Sequence, residues 1–149
     1  MNAPLQAEVQ IEIPFHDVDV MGIVWHGHYI KYFEIARTAL LRKARMDLEA
    51  MALTGCAWPV VTCELKYIRP LRYGQTVQVE AAFLEYEDRL KIAYTVRDAV
   101  SRERLTRGTT VQLAVDAKTG ETVCITVAVN RDGKTGDPSA EKCVDVTDG

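Results

Sequence analysis

One stretch of helical periodicity among several stretches of strict alternation leaves this chain few ways to fold. From about Tyr29 to Arg45, the residues Tyr29, Phe33, Ala36 and Leu40 recur at steps of four, three and four, the stripe of a helix laid on a core. Ile30, Tyr32, Ala39 and Leu41 add apolar surface beside that stripe, while Lys31, Arg37, Arg42, Lys43 and Arg45 are polar. A helix apolar around so much of its girth needs a sheet wrapped about it.

The alternating segments supply that sheet. Residues 8–14 place Val9, Ile11 and Ile13 on one side before Pro14 closes the run. After the helix come Val61, Cys63, Leu65 and Tyr67; then Val77, Val79, Ala81 and Phe83; then Leu90, Ile92, Tyr94 and Val96; then Leu105, Thr109, Val111, Leu113 and Val115. The connections at Glu87-Asp88 and Ser101-Arg102-Glu103 are too short for the crossover that parallel neighbours require, so antiparallel hairpins are expected. The predicted class is α+β: one long central helix wrapped by a curled five- or six-stranded antiparallel sheet. Asp47 is placed to cap a short turn over Leu48 to Leu53, Val123 to Val129 is a candidate last strand, and the tail from about Asn130 reads as a mobile end. A chain of 149 residues suits one domain over 1–149.

Composition narrows the function. Hydrophobic residues at 48% and charged residues at 26% are those of an ordinary globular chain rather than a disordered one. A formal net charge of -3 gives no global field for a nucleic-acid backbone, so no nucleic-acid partner is expected. The N-terminus lacks the cationic and apolar regions of a signal peptide, and no window reaches membrane-spanning length, which points to the cytoplasm and no membrane partner. Cys56, Cys63, Cys124 and Cys143 form no C-x-x-C pair and read as reduced thiols.

The chemistry concentrates just before the helix. All three histidines, His16, His26 and His28, fall within thirteen positions that also hold Asp17 and Asp19. A loop feeding a helix start delivers unpaired backbone amides and the positive end of the helix dipole, which together stabilise a developing oxyanion. A carboxylate beside them is placed to attack a carbonyl or to activate water against it. That pairing suits acyl transfer.

The run D-V-M-G-I-V-W-H-G-H-Y, Asp19 to Tyr29, resembles the signature of the 4-hydroxybenzoyl-CoA thioesterase family of hot-dog proteins, with Asp19, Gly22, Ile23, Val24, His26 and Tyr29 meeting its core positions. Y-F-E-I-A-R (Tyr32 to Arg37) and Y-I-R-P-L-R-Y-G (Tyr67 to Gly74) resemble that family's helix and its next strand and turn, so the likeness covers roughly residues 8–116. Val18 and Glu12 depart from the usual pattern without removing a catalytic group.

The resemblance implies a hot-dog fold and an acyl-CoA or acyl carrier protein thioester as substrate. It also implies no cofactor, and a homodimer or homotetramer whose sheets join edge to edge with sites between subunits. Carried onto this chain, Asp19 is the nucleophile or general base, and backbone amides near His26 polarise the thioester carbonyl. Gly22, Ile23, Val24, Trp25 and Tyr29 surround the substrate. Arg89 and Lys91 are candidates for the phosphates of coenzyme A, as are Arg69 and Arg72, although Glu87 and Asp88 in the same hairpin oppose phosphate. Trp58, Phe33, Met51 and Tyr67 are placed either to line an acyl pocket or to fill the core.

Each residue also has a plainer reading. Asp17 has no role to carry over and is expected as a solvated loop carboxylate, and Glu34 is expected to pair with Arg37 or Thr38 along the helix rather than to act on substrate. His26 is as easily a packing group as a catalytic one. His16, Asp19, His26 and His28 would suit a metal-dependent hydrolase. A binding module without turnover is the third alternative.

Overall fold

In the computed structural model, which describes residues 4–46 and 53–122, the order is β1 Gln6–Glu12, α1 Tyr29–Lys43, β2 Cys56–Ala57, β3 Val60–Tyr67, β4 Thr76–Glu85, β5 Leu90–Asp98, β6 Arg104–Gln112 and β7 Val115–Asp116. Single turns of 3-10 helix at Phe15–Asp17 and His26–His28 punctuate the segment between β1 and α1. Five strands form one sheet in the order β1-β4-β5-β6-β3, and β2 pairs with β7 separately. Every pairing is antiparallel. One helix on one antiparallel sheet is the arrangement expected from the periodicities, with the sheet at five strands. The short turn over Leu48 to Leu53 falls largely, and the candidate strand at Val123 to Val129 and the tail wholly, outside the described residues. Among those described, no helix is long and apolar enough to cross a membrane.

The helix buries the predicted stripe, Tyr29, Phe33, Ala36 and Leu40, together with Tyr32. Against it the sheet presents Val77, Val79, Ala81 and Phe83 of β4 and Leu90, Ile92, Tyr94 and Val96 of β5, all buried. Phe33 stacks on Tyr94, ring centroids 4.4 Å apart and planes 4° from parallel. The Tyr94 hydroxyl shares a 2.8 Å hydrogen bond with Thr110. That close approach needs Gly108 in β6, where a Cβ would stand 2.5 Å from the Phe33 ring and 2.7 Å from the Glu64 carbonyl oxygen. The helix stops at a left-handed Arg45 (φ 59°), after which the Met46 amide returns to the Leu41 carbonyl at 2.7 Å.

β3 behaves differently from its neighbours. Its alternation suggests one covered face, yet apart from half-buried Leu65 both faces are exposed. α1 packs chiefly on β1 and β4, and β3 lies at the far edge of the sheet, where no helix reaches most of it.

Candidate active site

The segment from Ile13 to His28 is folded back on itself and pinned to the turn that precedes β4. The Ile13 amide donates to the Gln75 carbonyl at 2.9 Å, Val18 bridges Val24, and Ile23 bridges Arg72. The Val24 amide donates to the Leu71 carbonyl at 2.9 Å, and the Tyr73 amide to that of Gly22 at 3.0 Å. Between these ties Asp19 opens a tight turn. Its Oδ1 accepts the Met21 amide at 2.8 Å and its carbonyl accepts the Gly22 amide at 3.0 Å. Gly22 closes the turn at φ 76°, a region a side chain rarely adopts. The Asp19 carboxylate is exposed to solvent at the loop tip, flanked by the exposed side chains of Val20 and Met21.

Beyond the turn the chain enters the His26–His28 turn and then α1. Neither Trp25 nor His28 caps these N-termini with a side chain; the His28 amide donates to the Trp25 carbonyl at 3.0 Å, and no side chain among the described residues accepts from the amides of His26 and Gly27 ahead of it. The Trp25 indole, half exposed, lies across Gly27, where a Cβ would meet its ring at 2.2 Å. Its centroid stands 4.9 Å from the His26 ring and 5.3 Å from the His28 ring. From β3, Tyr67 donates its hydroxyl to the His26 carbonyl at 2.8 Å and packs edge-on against Tyr29.

Asp17 overturns the expectation of a solvated carboxylate: it is 2% exposed. Its Oδ1 accepts Lys31 Nζ at 2.5 Å and its Oδ2 accepts the Tyr32 hydroxyl at 2.7 Å, both from the first turns of α1. Burial alone would raise the Asp17 pKa, but the hydrogen bonds from Lys31 and Tyr32 and the lysine charge outweigh it and hold the carboxyl below its ordinary range. Burial, then the bond to Asp17, pushes the Tyr32 phenol up. Nothing local in the sequence joins Asp17 to residues fourteen and fifteen positions away; the contact exists only once the loop has folded back.

The other predicted site residues divide. Gly22, Ile23, Trp25 and His26 lie with Asp19 in the folded-back segment. Val24, 5% exposed, and Tyr29, 3% exposed, are buried in the core. The Tyr29 hydroxyl accepts the Leu71 amide at 3.2 Å, and burial raises its pKa. Arg89 and Lys91 are not brought to Asp19 within one chain. Glu12 pairs with Thr76 at the start of β4, whereas Lys91 pairs with Glu85 at its end, roughly 30 Å of strand away. Arg89 is also engaged by Glu85 at 2.7 Å. Glu34 pairs with Arg37, and its carbonyl accepts the Thr38 hydroxyl at 2.9 Å. His16 and His28 approach Asp17 Oδ1 at 3.7 and 4.0 Å, but no group of three or more His, Cys, Asp or Glu among the described residues is arranged to hold a metal ion.

Residues 13–133 match the Thioesterase-like superfamily, and the chain belongs to that superfamily. It is 35% identical over 80 residues to "Putative esterase sll0410" of Synechocystis, covering 54% of this chain and 48% of that protein. It is likewise 35% identical over 77 residues to "Putative acyl-CoA thioesterase YneP" of Bacillus subtilis, covering 52% and 56%. The chain thus spans about half the length of the curated relatives it matches. A DHNA-CoA thioesterase from Staphylococcus aureus superposes with a TM-score of 0.74 at 24% identity, over 80% of each chain. A mutant of 4-hydroxybenzoyl CoA thioesterase complexed with 4-hydroxybenzoyl CoA gives 0.72 at 17%, over 83% of this chain and 94% of that one. These two likenesses bear on the fold, and they place it among hot-dog proteins.

Proposed function

We propose that this protein hydrolyses acyl thioesters of coenzyme A, or of another pantetheine carrier, to the free acid and a thiol. The observation that carries this reading is the exposed Asp19 carboxylate, held in a rigid turn whose chain leads directly into a helix start with no side-chain cap. Oδ1 is occupied by the Met21 amide, while Oδ2 has no hydrogen-bond partner among the described residues and is open toward a carbonyl or a water. The amides near His26 polarise the thioester carbonyl, where a fixed dipole costs no reorganisation as charge develops. A thioester suits so spare a site, because sulfur gives its carbonyl little resonance stabilisation and thiolate leaves without compulsory protonation. His26 stands beside this carbonyl position with its ring against Trp25, and Gly22, Ile23 and Trp25 border the substrate.

The active form is a pair of chains joined through β3. An edge strand exposed on both faces apart from Leu65, carrying Val60, Val61 and Tyr67, is a template for a second strand. The sheet then continues across two copies, and a partner's Arg89 and Lys91 are the ones available to the phosphates at a given Asp19.

Thiol release from short, long and aromatic acyl-CoAs tests the activity. Asp19→Asn is expected to lower kcat by about a thousandfold or more with the fold intact, since the reacting group is removed and only the polarising dipoles remain. Full activity in Asp19→Asn, or turnover abolished by a chelator, would sink this mechanism.

A further inference from the structure

Asp17 is the only fully buried charged side chain among the described residues, and the chemistry proposed above does not use it. A carboxylate in such a place is costly unless donors meet it, and here the two donors, Lys31 and Tyr32, both belong to the start of α1. Its backbone is equally committed: the Asp17 amide donates to the Pro14 carbonyl at 3.2 Å, and its carbonyl accepts the Trp25 amide at 3.1 Å. One residue therefore joins three segments: the exit of β1, the residue that precedes His26, and the helix. Asp19 lies two positions beyond it, and the polarising amides lie on the far side of its bonds to Trp25 and the helix.

We infer that Asp17 is a positioning residue, whose buried carboxylate sets the separation between the Asp19 carboxylate and the amides at the start of α1. Lys31 and Tyr32 hold the helix at a fixed distance from the loop, and the Trp25 bond fixes where the His26–His28 turn begins. An attacking group and a polarised carbonyl lose much of their advantage when displaced by a fraction of an ångström to an ångström, so a loosened Asp17 acts on the rate while substrate still binds. This consequence for turnover rests on the thioesterase reading; the positioning itself does not.

The two are separated by measuring Asp17→Asn and Tyr32→Phe in a Trp58→Phe background, where Trp25 is the one indole left and reports the helix start. Asp17→Asn keeps the side chain's size, and Tyr32→Phe removes a single donor should the first variant fold poorly. In folded variants the Trp25 emission maximum should shift, and kcat on acyl-CoA should fall about 10- to 100-fold with KM within about twofold. Unchanged emission together with unchanged kcat overturns the proposal, as does a loss confined to KM. If the parent protein releases no thiol from any acyl-CoA, the thioesterase reading fails separately, and the emission alone decides: a shift supports the positioning role, and none refutes it.

Discussion

Asp17 and Asp19 are two residues apart, and the fold gives the first a lysine and a phenol and the second open water. In sequence they are alike, two carboxylates in a polar loop. Only the motif around Asp19 singles it out, and nothing local marks Asp17, whose partners arrive from the helix. Its depressed pKa makes an acid-stability prediction with a definite sign. The carboxylate contributes stability that is fully present above its unfolded value of 3.8 and is lost as pH falls through the lower folded value. Asp17→Asn should therefore cost about 1–3 kcal/mol in urea unfolding near neutrality, and that deficit should narrow once the pH drops below about 4. A deficit that stays constant down to about pH 2 would mean the carboxylate is not held ionised by Lys31 and Tyr32.

The helix and its supporting strands were legible because their spacing carries the information. The four-three-four recurrence from Tyr29 to Leu40 marks the buried stripe, and the alternation of β4 and β5 marks the face that meets it. Two details escaped for physical reasons. The left-handed Arg45 ends the helix where no glycine signals it, and the alternation of β3 says nothing of whether a helix lies above it. Gly108 is a third feature, a glycine inside a strand whose meaning depends on Phe33, seventy-five positions earlier. Gly108→Ala should destabilise the protein by about 1–3 kcal/mol, because the added Cβ meets a Phe33 ring that is buried and stacked on Tyr94 and a Glu64 oxygen that belongs to the backbone. Combined with Phe33→Leu in a double-mutant cycle, it should cost less than the sum of the two single changes. Strict additivity in urea melts would show that the ring is not what crowds this position.

At the level of the whole molecule, the exposed edge at β3 is where one chain is expected to meet another. A lysine there is a common device against strand pairing. Val61→Lys, at an exposed position in the β3 irregularity between Val60 and Thr62, should shift sedimentation from dimer toward monomer at micromolar concentration while leaving the chain folded. A parent protein already monomeric at that concentration would remove the edge pairing from the proposal. The sheet order has a kinetic consequence as well. β4, β5 and β6 are sequential hairpins that close short loops, whereas β1 must wait for β4, which follows it only after the helix and β3 have been made. During synthesis β1 leaves the ribosome long before the strand it pairs with. The segment bearing Asp17 and Asp19 is tied to residues 67–75, just ahead of β4, so it has nothing to fold back onto until that turn has emerged.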